Sequence, residues 1–275
     1  MNINVKFIWH DCFVVALPEC VIVSDYWVDA PNGVPAATDF PKFLEDISPD
    51  MPLYVLVSHH HKDHFTKSIF KWASKFSRVH YIISKDTARF IKYLLNPDST
   101  YSGAYSIDIN SVTVLKPRME FADDILTVQA YGSTDIGNSY LIEYKGYKFF
   151  HAGDLNAWIW KDESTEQEIN KALGDYKVII NSIKGGNPDI NVVFFPVDSR
   201  IGSEYWTGAK IFLKEINVEY FIPMHFCLYD TQEQFKKRKL DATRTELYKP
   251  DKDTIFPLLT EPYESIELNL NRSFS

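Results

Sequence analysis

The chain has 275 residues, 45% of them hydrophobic and 24% charged, with a formal net charge of −8. That is enough apolar material for a sizeable core, and the acidic balance argues against a nucleic-acid surface, which needs clustered Lys and Arg. No apolar run reaches membrane-spanning length, and Met1–Lys6 lacks the basic-then-apolar pattern of a signal peptide. Cys12, Cys20 and Cys227 are odd in number and show no CxxC spacing, so they read as reduced cysteines of a cytoplasmic protein with no membrane partner.

In chain order, Val5–Trp9 and Phe13–Leu17 read as strands joined by the turn His10-Asp11-Cys12, and Val21–Val23 as a third that ends at Ser24-Asp25. Pro31, Gly33, Pro35 and Pro41 make residues 26–41 a loop, with a short helix over Pro41–Ile47. The apolar, β-branched Leu53–Val57 is a buried strand. A helix over Lys67–Phe76, capped by Thr66, follows it. Next come a strand at Val79–Ser84 and a helix over Asp86–Leu95, stopped by Asn96-Pro97, before a turn-rich stretch from 98 to 110. Strands are expected at Val112–Leu115, Ile125–Ala130, Ser139–Glu143 and Tyr147–His151, the last two joined by a hairpin at Lys145-Gly146. A helix over Ser164–Ile183, with Gly174 as its weak point, leads to strand Val192–Phe195, helix Gly208–Ile216 and strand Tyr220–Pro223. A charged helix near Thr231–Arg238 and a strand near Ile266–Leu268 close the chain. No Ser/Gly linker divides it, so one domain over 1–275 is expected. The order, β-rich then α in each half, fits an α/β (α+β) fold of four αββα layers, with ligands on loops at one edge of two sheets.

The chemistry concentrates at Ser58-His59-His60-His61-Lys62-Asp63-His64-Phe65. Three imidazoles at 59, 61 and 64, with a carboxylate among them, after a strand and before a helix, have the spacing of metal ligands. In extended backbone His59, His61 and Asp63 share one side, with His60 and Lys62 turned away; Asp63 and His64 converge only if the chain turns there. Two later strands also run into ligand-type residues. Tyr147–His151 leads through Gly153, which permits a tight turn, to Asp154. Tyr220–Met224 leads to His225. A carboxylate can bridge two cations and a neutral imidazole can complete a coordination shell.

With these residues in hand the chain resembles the metallo-β-lactamase-fold hydrolases. The likeness rests on the HxHxDH pattern at His59, His61, Asp63 and His64, on Gly153-Asp154 after a strand, and on Pro223-Met224-His225, in the family's order over most of the chain. The HAGD-type turn His151-Ala152-Gly153-Asp154 and the segment Phe195–Arg200 look nearest to the branch with ascorbate-6-phosphate lactonase-like proteins. The resemblance implies that His59 and His61 hold one cation, that Asp63, His64 and His225 hold a second, and that Asp154 bridges them. One position departs from the pattern: Ser133 stands where the family has a further histidine, in Gly132-Ser133-Thr134-Asp135. Asp135 is a candidate oxygen ligand in its place, or caps its own turn; a carboxylate there would shift preference from zinc toward manganese or iron.

The expected cofactor is one or two divalent ions, zinc first, manganese or iron otherwise. A cation so held acidifies water and polarises a scissile oxygen, with Asp63 or Asp154 to orient the water and accept its proton. The expected reaction is hydrolysis of an ester, lactone or phosphodiester in a small anionic metabolite. Arg200 would bind an anionic substrate group, with Asp198 orienting a ligand histidine; the plainer reading is a surface ion pair. His10 and Asp25 follow strands too, and a structural role is expected for both. His151 supports the site or sits inside the sheet, and Trp158 and Trp160 form an apolar wall. The rival is a metal-binding regulatory or iron-type redox protein of the same fold without hydrolytic turnover.

Overall fold

In the computed structural model, residues 1–28, 39–96, 98, 105, 107–186, 189–228, 231–244, 247 and 253–271 are described. The expected loop at Pro31, Gly33 and Pro35, the stop at Pro97 and most of the stretch 98–110 lie outside them.

Strand alternation builds two cores from one sheet. In β4 (Leu53–Val57) Tyr54 and Leu56 join the cluster between the sheets, whereas Leu53, Val55 and Val57 join a second cluster on the opposite face. This is the two-residue period of a strand buried on both sides. β1 (Asn2–Trp9) divides in the same way, with Val5, Phe7 and Trp9 inward and Ile8 outward. With β2 (Cys12–Ala16), β3 (Val21–Ser24), β5 (Val79–Ser84), β6 (Val112–Leu115) and β13 (Ser265–Asn269), they form a seven-stranded sheet in the order β13-β1-β2-β3-β4-β5-β6. Its pairs from β3 to β6 are parallel.

The second sheet has six strands, β12-β11-β10-β9-β8-β7. They are β7 (Glu120–Ala122), β8 (Thr127–Tyr131), β9 (Ser139–Tyr144), β10 (Tyr147–His151), β11 (Asp189–Pro196) and β12 (Asn217–Met224). β10, β11 and β12 run parallel. Phe7 and Phe13 of the first sheet pack as tilted rings 5.2 Å apart, and Phe13 meets Phe194 of the second at 4.5 Å, so aromatic packing holds the sheets together. Helices α2 (Glu166–Gly186) and α3 (Thr207–Glu215) cover the second sheet, where Phe212 packs on Phe150 and Phe195. α1 (Lys85–Phe90) and the 3-10 segments Lys42–Asp46 and Lys67–Ser74 cover the first. α4 (Gln232–Ala242) starts with a reciprocal Thr231/Gln234 cap. The result is the expected four-layer αββα sandwich.

Several elements differ from the sequence reading. Lys67–Ser74 is a 3-10 helix rather than an α-helix; Thr66 caps it as expected, and Ile69 and Trp72, three apart, are both buried. The helix expected over Asp86–Leu95 is shorter and earlier, because Ser84 is the cap and the Asp86 carboxylate instead accepts from His60. Ile125 and Leu126 belong to a turn, since both amides donate to Asp123 Oδ1. β7 is short and largely exposed, without a patterned apolar run to reveal it. Gly174 does not interrupt α2.

Candidate metal centre

The ends of strands from both sheets meet at one edge. Past β4 the backbone leaves extended geometry: the amides of His64 and Phe65 both donate to the His61 carbonyl at 3.1 Å. This turn brings His64 back beside His59, with ring centroids 4.1 Å apart, and leaves His61 exposed. Two glycines let the other sheet close on this loop. A Cβ on Gly153 would lie 2.7 Å from Ser58 Cβ, and one on Gly137 would lie 2.1 Å from the Ser58 carbonyl oxygen; both have positive φ, +52° and +83°.

Around this edge the hydrogen bonds set the histidine tautomers, because an N–H on one ring nitrogen leaves a lone pair on the other. Ser58 Oγ donates to Asp25 Oδ2 at 2.6 Å, so it accepts from His59 Nδ1 at 3.0 Å. His64 Nδ1 donates to Asp25 Oδ2 at 3.0 Å, and His225 Nδ1 to Asp198 Oδ2 at 3.0 Å. Three Nε2 lone pairs therefore face inward. They meet Asp154: His64 and His225 lie 3.1 Å from its Oδ1, and His59 lies 3.3 Å from its Oδ2. None of the three Nε2 atoms, nor Asp154 Oδ1, has a hydrogen-bond partner. Buried lone pairs facing one another at such distances are costly unless a proton or a cation lies between them. The donor set fits a divalent metal.

Two groups of potential ligands arise. His59, His61, Asp135 and Asp154 have ligand atoms within 4.8 Å of one another, as do His10, Asp11, His64 and His225. Asp135 thus stands with His59 and His61, its Oδ2 3.6 Å from His61 Nδ1. The turn around it is closed by Ser133 Oγ, which accepts from the Asp135 amide at 3.3 Å. Asp63 lies outside both groups. It is partly exposed, with its Oδ2 3.7 Å from His10 Nε2. His60 is turned to Asp86 and Phe90, and Lys62 is exposed.

The sequence profile of the beta-lactamase superfamily domain matches residues 4–225. The chain belongs to this superfamily. Two His/Asp groups at the edge of its sandwich are the equipment of a metal-dependent hydrolase. A UPF0173 metal-dependent hydrolase of Thermococcus onnurineus is 23% identical over 260 residues, covering 90% of this chain and 97% of the relative. Among solved structures, Igni18, a metallo hydrolase of Ignicoccus hospitalis, superposes with a TM-score of 0.62 at 14% identity over 98% of this chain and 100% of its own. The diiron β-hydroxylase CmlA of Streptomyces venezuelae superposes with a TM-score of 0.60 at 11% identity, over 97% of this chain and 54% of its own. These structural likenesses show the fold.

Electrostatics at the superfamily site follow from burial and crowding of charge. Burial disfavours the charged form of Asp154, yet His64 and His225 outweigh it and hold its carboxyl well below the ordinary range. His64 moves the other way: burial opposes protonation, but Asp154 and Asp11 raise it well above its usual value. His225 is pushed up to about 10, against burial, chiefly by Asp11 and Asp154. Asp11 is fully buried, its oxygens have no hydrogen-bond partner, and burial raises it to about 8. Asp154 is thus ionised, while on His64, His225 and Asp11 a proton balances charge that a cation would otherwise balance.

Residues with little sequence signal carry the supports. Asp25 takes the Ser58 amide at 2.7 Å, the Ser58 hydroxyl and His64, so one carboxylate orients two candidate ligand imidazoles, His64 directly and His59 through Ser58. His151 Nε2 donates to the Asp11 carbonyl at 2.9 Å while its Nδ1 accepts from the Gly153 amide, fixing the turn before Asp154. Beside the centre opens a cleft of about 430 Å³ lined by Asp63, Asp135, Asp154, Trp158, Trp160 and Arg200 among others. Arg200 grips buried Asp198 through Nε at 2.9 and 2.8 Å and through Nη2.

Proposed function

We propose that the chain hydrolyses an ester, lactone or phosphodiester bond in a small anionic metabolite, at a centre of one or two divalent cations. The observation that carries this reading is the convergence of three Nε2 lone pairs on Asp154. His59, His61, Asp135 and Asp154 would hold one ion; His64, His225 and Asp154 a second, with Asp63 at its open side. Such an ion acidifies water and polarises the scissile oxygen. Asp63, which lines the cleft, is held below the ordinary carboxylate range: burial would raise it, but His10, His64 and His225 prevail. It is therefore ionised and able to accept a proton from water. Arg200 lines the same cleft and supplies the positive charge for an anionic substrate group, while Trp158 and Trp160 shield one wall. Zinc suits the imidazoles, and the carboxylates at 135 and 154 favour manganese or iron. The turn at His151–Asp154 keeps the ascorbate-6-phosphate lactonase-like branch as the nearest relation we propose.

The test is a substrate screen with Zn, Mn and Fe each supplied, alongside metal analysis of protein purified without chelators. At least one transition metal per chain is expected, and Asp63→Ala and His225→Ala should abolish turnover in folded protein. A metal-free, correctly folded parent would overturn the reading. So would unchanged turnover in both variants. A second reading, an iron-type redox protein, draws on the same carboxylates and on the likeness to CmlA; dioxygen-dependent turnover of the iron-loaded protein would favour it.

A further inference from the structure

We propose that His10 is a positioning residue for Asp63, not a cation ligand: with its proton on Nε2 it draws Asp63 Oδ2 toward it and fixes that carboxylate at the cleft. The inference rests on the hydrolase reading above, because it assigns how the proton acceptor of that reading is held.

His10 lies between β1 and β2, fully buried, with φ +58°. Its ring is stacked obliquely on His225, centroids 4.2 Å apart, so proximity alone would make it a third imidazole ligand beside His64 and His225. Its hydrogen bond argues otherwise. The Cys227 amide donates to His10 Nδ1 at 3.1 Å. An amide can only donate, so this nitrogen carries the lone pair and the neutral ring has its proton on Nε2. His59, His64 and His225 show the opposite arrangement, with Nδ1 donating and Nε2 the nitrogen left to a cation. An N–H aimed at a cation would repel it and leave no lone pair to bind it. The His225 amide also donates to the His10 carbonyl at 3.4 Å. Ring and main chain of His10 are thus both tied to the 225–227 segment, and rotating the ring to exchange its nitrogens would break the Cys227 contact.

Nε2 has no hydrogen-bond partner, and among the described residues the carboxylate within 4 Å of it is Asp63. At 3.7 Å the pair is an electrostatic contact rather than a hydrogen bond. His10 is rigid, whereas the Asp63 side chain is partly exposed (26%) and free to close the remaining distance. Catalytic hydrogen bonds that are long in an empty site commonly tighten when it is filled. One carboxylate oxygen engaged by His10 leaves the other directed to the water or the cation, the arrangement a proton acceptor needs. Trp9-His10-Asp11 carries no metal-ligand spacing of its own, so nothing local in the sequence announces this role.

The test uses the whole protein labelled with nitrogen-15 histidine, observed by long-range proton–nitrogen correlation before and after addition of Zn²⁺. His10 should show a bare Nδ1 and a protonated Nε2 in both states. His59 should show the reverse, and His64 and His225, protonated on both nitrogens without the metal, should lose the Nε2 proton and shift when zinc is added. A zinc-induced shift of His10 Nε2 like theirs, or a proton on its Nδ1, overturns the inference. If none of the other three responds to zinc, it is the cation reading that fails, and the His10 tautomer still judges this one. In parallel, His10→Phe should keep its zinc content but lose about 10–100-fold in kcat on bis-p-nitrophenyl phosphate, with KM within about threefold. His10→Gln, which restores an N–H donor, should recover most of the loss. Zinc lost from His10→Phe, or kcat unchanged, refutes the role; if that variant does not fold, the parent's spectra decide.

Discussion

Gly137→Ala probes the closest approach between the two halves of the centre. A Cβ there would stand 2.1 Å from the Ser58 carbonyl oxygen and 2.6 Å from His59 Cβ, on backbone with φ +83°. Ordinary contact begins near 3.4 Å, so the ligand loop would have to retreat by about 1 Å. The left-handed conformation costs an alanine about 1–2 kcal/mol, and overpacking adds about 1–3 kcal/mol. Together they take about 2–5 kcal/mol from a total of about 5–15 kcal/mol. Gly146 separates the two contributions: its φ is +82°, yet nothing lies within 4 Å of its Cβ position, so Gly146→Ala bears the conformational cost alone. Metal sites tolerate about 0.2 Å of ligand displacement, hence Gly137→Ala should also weaken zinc at least about tenfold, whereas Gly146→Ala should not. Thermal unfolding and competition titration with a zinc chelator read both quantities. If Gly137→Ala is no less stable than Gly146→Ala, or binds zinc as the parent does, the packing of Gly137 on the ligand loop has been misjudged.

Asp25→Ala removes the acceptor shared by Ser58 and His64; we expect a loss of about 3–5 kcal/mol in denaturant unfolding and a zinc affinity about 10–100-fold lower. Arg200→Lys should raise KM for anionic substrates more than for neutral ones, because the planar grip on Asp198 and the directed charge are lost together; equal changes for both would remove Arg200 from substrate binding. Zinc at 100 times its dissociation constant should stabilise the chain by about 2.7 kcal/mol, and stripping the metal should make stability depend on pH. In the metal-free protein His225 has a folded pKa of about 10, above its unfolded value of 6.5, and Asp11 about 8, above 3.8. Above pH 6.5 the folded state therefore binds the extra protons, and stability is lost as pH rises toward about 10. The buried histidines whose values are lowered, His10, His59 and His151, are neutral in both states there and do not oppose the trend. Midpoints measured from pH 6.5 to 10 should fall without zinc and flatten with it; a rise would contradict the assignment.

Much of the fold was legible because strands buried on both faces are continuous apolar runs, as Leu53–Val57 and Val192–Phe195 are. Short apolar segments do not distinguish an α-helix from a 3-10 helix, so the sequence left open which kind of helix Lys67–Ser74 is, and β7 had no apolar run to read. At the centre, His59, His61, His64, Asp154 and His225 were visible as residue types at strand ends. Their supports were not. Asp25 reaches Ser58 across 33 residues and His64 across 39, and the Cys227 amide reaches His10 across 217. Such contacts are set by strand order, to which local spacing is blind. Extended-backbone reasoning put Asp63 beside His59 and His61; the turn closed on the His61 carbonyl places it at the cleft instead.

Backbone strain gathers at the same edge. His10, Asp25, Trp158 and His225 all have positive φ, between +41° and +65°, a region costing a non-glycine residue about 1–3 kcal/mol. His225 is a candidate ligand, Asp25 orients His64, Trp158 lines the cleft and His10 faces Asp63. Each is also held by bonds from elsewhere: Asp25 by Ser58, His10 by Cys227, His225 by Asp198, and Trp158 through its Nε1 on the Asp154 carbonyl at 2.8 Å. Strain, unpartnered buried polar atoms and crowded carboxylates are three separate costs in one place. A cation would relieve the second and third together, and its binding energy would offset the first. Removing it should therefore loosen this edge before the sheets part. In hydrogen exchange, the amides of Ser58, His64 and Cys227 should lose protection on chelation while those of β4 and β11 keep theirs; uniform loss across both sheets would mean that the centre and the cores unfold as one unit.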